Sequence, residues 1–130
     1  MLDKSRGKIL ICDDEEGIRE SLKLILSNHY NLMVTDSGEQ CVELVNNAPD
    51  IGLVLLDIKM PNVNGLEVLK LVKEKRPNLS VVIITGYKSV ETASEAANLG
   101  ASGYIVKPFK SDEILSTVGR LMEKINNKTK

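Results

Sequence analysis

Lys8-Ile9-Leu10-Ile11-Cys12-Asp13-Asp14 and Leu53-Val54-Leu55-Leu56-Asp57 decide the fold, because each is a short apolar run that ends on carboxylates. An unbroken apolar run of this length suits a parallel strand covered on both faces, where no solvent face imposes alternation. A third run, Tyr104-Ile105-Val106, closes on Lys107-Pro108. If these strands are parallel neighbours, Asp13, Asp14, Asp57 and Lys107 meet at one edge of a sheet. Three carboxylates within a few ångströms repel one another and require a cation. An all-oxygen donor set suits Mg²⁺, which keeps water positions that a phosphate can take. The residues point to phosphoryl chemistry on an aspartate.

Outward from these runs, apolar segments alternate with amphipathic ones five times. The pattern predicts strands at Lys8–Cys12, Asn31–Thr35, Gly52–Leu56, Ser80–Thr85 and Gly103–Val106. Helical spacing places Ile18, Leu22, Ile25 and Leu26 on one face of a first helix, and Cys41, Leu44, Val45 and Ala48 on one face of a second. Leu66, Leu69 and Val72 mark a third helix, Val90, Ala93 and Ala97 a weaker fourth, and Ile114, Val118, Leu121 and Ile125 a fifth. Ser37-Gly38 and Asn64-Gly65 read as turns into helices, Arg76-Pro77-Asn78 ends the third, and Ser111 reads as an N-cap followed by Asp112 and Glu113. Alternating strands and helices imply right-handed crossovers and a doubly wound parallel sheet. Such sheets bind ligands beyond the carboxyl ends of their strands.

The 130 residues fit one domain, with a core over about 7–125 and a polar tail or linker start at 126–130. Lys and Arg number 17 against 18 Asp and Glu, so the net charge of −1 argues against a nucleic-acid or membrane partner. No stretch approaches the roughly 20 apolar residues of a membrane span, and the start lacks a signal-peptide core, so a cytoplasmic location is expected. Cys12 and Cys41 lack metal-ligand spacing and read as buried free thiols; His29, in a polar turn, reads as a surface residue.

The stretches ILICDDEEGIRESL, LVLLDIKMPNVNGLEVL, VVIITGYKSVETASEA and LGASGYIVKPF together resemble the receiver domains of two-component response regulators, in that family's order and spacing. The TGYKSVETASEAANLGA segment is similar to receivers of the nitrogen-regulatory type, and phosphorelay receivers share the pattern. The resemblance implies a (βα)5 flavodoxin-like fold with strand order 2-1-3-4-5. It implies a signalling phosphoacceptor that catalyses only its own modification, rather than an enzyme acting on other substrates.

On that resemblance Asp57 is the phosphoacceptor. Asp14, Asp57 and the backbone carbonyl of Lys59 would ligate Mg²⁺, with Asp13 acting through a water. Lys107 and Thr85 would contact phosphoryl oxygens, and the Lys107–Pro108 bond would be cis. Thr85 and Tyr104 resemble a switch pair that remodels the face made by the fourth helix, fifth strand and fifth helix. Lys59 and Tyr87 would flank the phosphoryl group and modulate its lifetime, a bulky Tyr87 obstructing water. Gly86 stands where the family most often has Ala. The implied partners are a sensor histidine kinase or phosphotransfer protein, an output domain if the chain belongs to a longer regulator, and a second copy through the same face. A phosphorylation-independent pseudo-receiver that acts as a binding module remains the alternative, although the acidic and lysine positions are all retained. A flavin-binding protein shares the architecture, but Asp13-Asp14-Glu15-Glu16 would repel its phosphate. A phosphatase would need a general acid where Lys59 stands.

Overall fold

The apolar runs do form a central parallel sheet. The computed structural model describes residues 7–61 and 63–128, the side chains of Val63 and of 124–128 excepted. Five strands, β1 (Lys8–Cys12), β2 (Asn31–Thr35), β3 (Ile51–Leu56), β4 (Ser80–Thr85) and β5 (Gly103–Val106), lie in the order β2-β1-β3-β4-β5. All neighbours are parallel. Five helices connect or follow them: α1 (Glu16–Leu26), α2 (Gly38–Asn47), α3 (Gly65–Lys75), α4 (Val90–Asn98) and α5 (Ser111–Lys128). A two-residue antiparallel pairing of Lys59–Met60 with Val63–Asn64, not foreseen from the sequence, lies between β3 and α3.

Successive strand residues point to opposite faces, and the core divides accordingly. Leu10, Cys12, Val54, Leu56 and Ile83 pack with Cys41 and Val45 of α2, Leu69 and Val72 of α3, and Ala96 of α4. Ile9, Ile11, Leu53, Leu55, Val82 and Ile84 pack with Leu22 and Leu26 of α1 and Ile114, Val118 and Leu121 of α5. The central strands are buried on both faces, which is why their sequences do not alternate.

Some boundaries differ from the sequence reading. β3 begins at Ile51 rather than Gly52, because Lys8 pairs with Ile51 while Ile9 pairs with Leu53, which leaves Gly52 as the extra residue of a bulge. Ser111 lies within α5 rather than capping it, and the Ile114 amide bonds the Lys110 carbonyl one residue earlier. Helix α5 also takes in Asn126 to Lys128 of the expected tail; Thr129, Lys130 and the Ile125 side chain lie outside the described residues. The face of α4 is misphased in the sequence reading. Val90 is 80 % exposed and Ala97 is exposed, whereas Ala96 is buried with Leu99 and Ala101 packed beside it. Apolar residues just past the helix, absent from the periodic count, set its rotation.

The caps of α2, α3 and α4 are Ser37, Asn64 and Ser89, each accepting a backbone N–H of the first turn. Gly65, which opens α3, lies so close to the segment after β3 that an added Cβ would sit 2.2 Å from Ile58 Cα. Only a residue without a side chain fits there. Gly65→Ala should therefore lower the urea midpoint, at a stability loss of about 1–3 kcal/mol from overpacking against fixed backbone.

Candidate functional site

The backbone ladder carries the polar residues to their places. Register pairs Cys12 with both Thr35 and Leu56, and the hydrogen bonding continues one step further. The Asp13 amide donates to the Thr35 carbonyl (3.1 Å) and the Asp57 amide to the Cys12 carbonyl (2.9 Å). On the far side of the sheet centre, the Lys107 amide donates to the Thr85 carbonyl (2.9 Å). Asp13, Asp57 and Lys107 thus each stand one residue beyond a strand, at the same edge. The Lys107–Pro108 peptide bond is cis.

At this edge Lys107 Nζ lies 2.9 Å from Asp13 Oδ2, 3.1 Å from Asp57 Oδ2 and 2.8 Å from Glu15 Oε1. Asp13 and Asp57 are buried, while Asp14 and Glu15 are exposed at the rim. Asp57 Oδ1 accepts the Lys59 amide at 2.9 Å, and Asp13 Oδ1 accepts the Glu15 amide at 2.9 Å. The Asp13 carbonyl accepts from Arg19 Nη1 of α1 at 2.8 Å. Carboxylate oxygens of Asp13, Asp14, Glu15 and Asp57 fall within 4.8 Å of one another. One ammonium cannot neutralise four carboxylates, and a hard oxygen donor set of this kind fits a divalent cation such as Mg²⁺.

The charges respond to this crowding. Burial pushes the Asp13 carboxyl above its ordinary range, and the Asp57 charge adds to the rise; the Glu15 amide and Lys107 oppose it without prevailing. Burial pulls the Lys107 ammonium down, but its bonds to Glu15 and Asp13 and the Asp57 charge outweigh that pull and hold it above its usual value.

Thr85 is buried, and among the described residues its hydroxyl oxygen has no hydrogen-bond partner. A buried hydroxyl without a partner is destabilising by about 1–3 kcal/mol, so this donor is available to an acceptor arriving beside it. Next along, the half-buried Tyr104 ring packs against the core, and its hydroxyl donates to the Tyr87 carbonyl at 2.8 Å. The Tyr87 ring, 42 % exposed, receives Lys59 Nζ at 5.3 Å from its centroid. Lys59 and Tyr87 therefore meet across the mouth between β3 and β4.

Glu15 is the participant that the sequence reading passed over as a member of a repulsive acidic run. Its signal was adjacency to the acidic pair, but only the fold shows that it reaches a lysine 92 positions away. Cys12 and Cys41 are both buried and free, and His29 is exposed. The Cys12 thiol leans toward the Ser37 carbonyl at 3.7 Å, and its pairing with Cys41, together with burial, pushes it up, away from the thiolate.

The family model for the response regulator receiver domain matches residues 9–119. The chain belongs to this family. The receiver is 34 % identical over 119 residues to the response regulator MprA of Mycobacterium sp. (strain KMS), covering 90 % of this chain and 51 % of that protein. It is 35 % identical over 122 residues to a putative response regulator, NtrX-like, of Rickettsia typhi, covering 92 % of this chain and 26 % of that one. A CheY-like receiver domain protein of Methanospirillum hungatei JF-1 superposes with a TM-score of 0.89 at 30 % identity, covering 95 % of this chain and 99 % of that one. The receiver spans about half or less of the length of these curated relatives. Among the described residues, no helix is long and apolar enough to cross a membrane.

The raised Asp13 carboxyl has a consequence for the receiver's stability. A folded-state value above the unfolded one means that ionisation at neutral pH opposes folding, and that this loss is relieved as the pH falls. In chelator-containing buffer, Asp13→Asn should stabilise the receiver, because it removes the charge whose burial opposes folding. Urea unfolding at pH 7 would show the gain, which should shrink toward the acid range where Asp13 takes up its own proton.

Proposed function

We propose that the receiver accepts a phosphoryl group on Asp57 from a phosphohistidine of a sensor kinase or phosphotransfer protein, or from a small acyl phosphate. The observation that carries this reading is a buried carboxylate with one oxygen on the Lys59 amide and the other on the Lys107 ammonium, beside a cluster of three further carboxylates. The bonds to Asp57 fix its orientation, so a donor entering from solvent meets a held nucleophile. An Asp57 oxygen forms the new O–P bond as the donor's P–N or acyl O–P bond breaks, and histidine or the carboxylate leaves with the electron pair. Asp14, Asp57 and the Lys59 carbonyl would hold Mg²⁺ directly, and Asp13 through water. When bound, the ion supplies positive charge that offsets both the carboxylate repulsion and the charge on the phosphoryl oxygens.

Lys107 and Thr85 supply the remaining charge and hydrogen bonding. The unpartnered Thr85 hydroxyl gains an acceptor when Asp57 is modified, and its movement alters the space beside Tyr104. The Tyr104–Tyr87 bond links that movement to the β4–α4 loop and so to the face of α4, β5 and α5. Such a face can bias an attached output domain, a partner protein or a second copy. In this reading the receiver is a cytoplasmic signalling component that turns over only its own phosphoryl group.

Intact mass after incubation with acetyl phosphate tests the assignment. Wild type with Mg²⁺ should gain one phosphoryl group, and Asp57→Ala or chelator should abolish the gain. Absence of the gain, together with failure to bind beryllofluoride and Mg²⁺, would favour the pseudo-receiver. The Lys59–Tyr87 contact carries a second expectation. Removing the ring by Tyr87→Ala should open the mouth to water and shorten the phosphoryl lifetime several-fold, read as loss of the mass-shifted species after donor removal.

A further inference from the structure

A lysine ammonium has three N–H bonds to donate. Here it donates to Glu15 (2.8 Å) and Asp57 (3.1 Å), and it forms an ion pair with Asp13 at 2.9 Å. The three carboxylates are not equivalent. The Asp13 and Asp57 side chains are 3 % and 1 % exposed, and both residues are anchored by the backbone ladder. The Glu15 side chain is 59 % exposed and sits at the solvent mouth. Glu15 occupies the N-cap position of α1, yet its side chain makes no capping bond to that helix and reaches across to Lys107 instead.

A phosphoryl group added to Asp57 enters from the solvent side, because Asp57 itself is closed off below by β3 and its neighbours. Its oxygens arrive where the Glu15 carboxylate already engages the ammonium. Two anions then compete for the outward side of one cation. Asp13 cannot leave without stranding a buried charge, whereas Glu15 returns to water with little penalty.

We propose that Glu15 is a positioning residue that parks Lys107 in the unmodified state, and that an arriving phosphoryl oxygen displaces its carboxylate from the ammonium. The inference rests on the phosphoacceptor reading. An interaction present only in the unmodified state opposes the modified one by its own free energy, so losing it favours phosphoryl binding. Glu15 is thereby a brake set through Lys107.

Beryllofluoride, titrated at saturating Mg²⁺ and followed by ¹⁹F NMR, tests this in wild type, Glu15→Gln, Glu15→Asp and Glu16→Gln. Glu15→Asp keeps the charge but withdraws the carboxylate by one methylene, so it separates the tether from simple repulsion of an anion. Glu16, exposed in the first turn of α1, is the charge control. Both Glu15 variants should bind roughly two- to five-fold more tightly than wild type, as expected for losing a partly exposed ion pair. Glu16→Gln should match wild type. Unchanged or weaker binding by Glu15→Gln would overturn the proposal. So would tightening by Glu15→Gln alone, with Glu15→Asp at the wild-type level, or equal tightening by Glu16→Gln. Wild type that binds no beryllofluoride would instead sink the phosphoacceptor reading, and this inference with it.

Discussion

Lys107 sits with its ammonium among Asp13, Glu15 and Asp57, within about a hydrogen bond of each. Without it, the buried carboxylates of Asp13 and Asp57 would face each other at the sheet edge with no cation between them, a repulsion that opposes folding. One cation does not balance the cluster, and the Asp13 carboxyl is raised, chiefly by its burial and further by the Asp57 charge. The residual demand for positive charge makes the pocket suited to a divalent ion, and through it to a phosphoryl group.

The arrangement depends on the parallel sheet. Strands entering from the same side end at the same edge, so residues one step past three different strands become neighbours despite separations of 44 and 50 positions in the chain. Backbone bonds from Asp13, Asp57 and Lys107 to adjacent strands hold those residues in register. The close approach of Gly65 to Ile58 fixes the chain leaving Asp57, and the buried faces beneath keep β1 and β3 from sliding. A site built this way has little freedom in its centre and most of its freedom at the rim, where Asp14, Glu15, Lys59 and Tyr87 meet solvent.

A second line of contacts runs away from the pocket. Thr85 keeps an unpartnered hydroxyl, the Tyr104 hydroxyl holds the Tyr87 carbonyl, and Lys59 lies over the Tyr87 ring. These groups lie between the sheet edge and α4, whose capping residue Ser89 follows two residues after Tyr87. An unsatisfied buried donor next to a bond that ties down a loop is the kind of local imbalance that a ligand at the edge can shift.

Much of this was legible from the chain itself. Five strands, five helices and their order follow from apolar runs that stop at polar residues and from periodic helical faces, because burial on two faces or one leaves a direct imprint on residue order. Asp13, Asp14, Asp57, Thr85 and Lys107 were marked by their position just at or after those runs. The bulge at Gly52, the pairing of Lys59–Met60 with Val63–Asn64 and the rotation of α4 were not, since each depends on contacts between distant segments. α4 shows the reason most clearly: its apolar residues are too few and too small to set a phase, so Leu99 and Ala101 beyond its end decide which side is buried. Sequence by itself determined which residues stand at the ends of strands. Only the tertiary structure decided which of them share a cation, bringing Glu15 to Lys107 and leaving the Thr85 hydroxyl without a partner among the described residues, because ion pairs and hydrogen bonds act over distances in space that residue order does not encode.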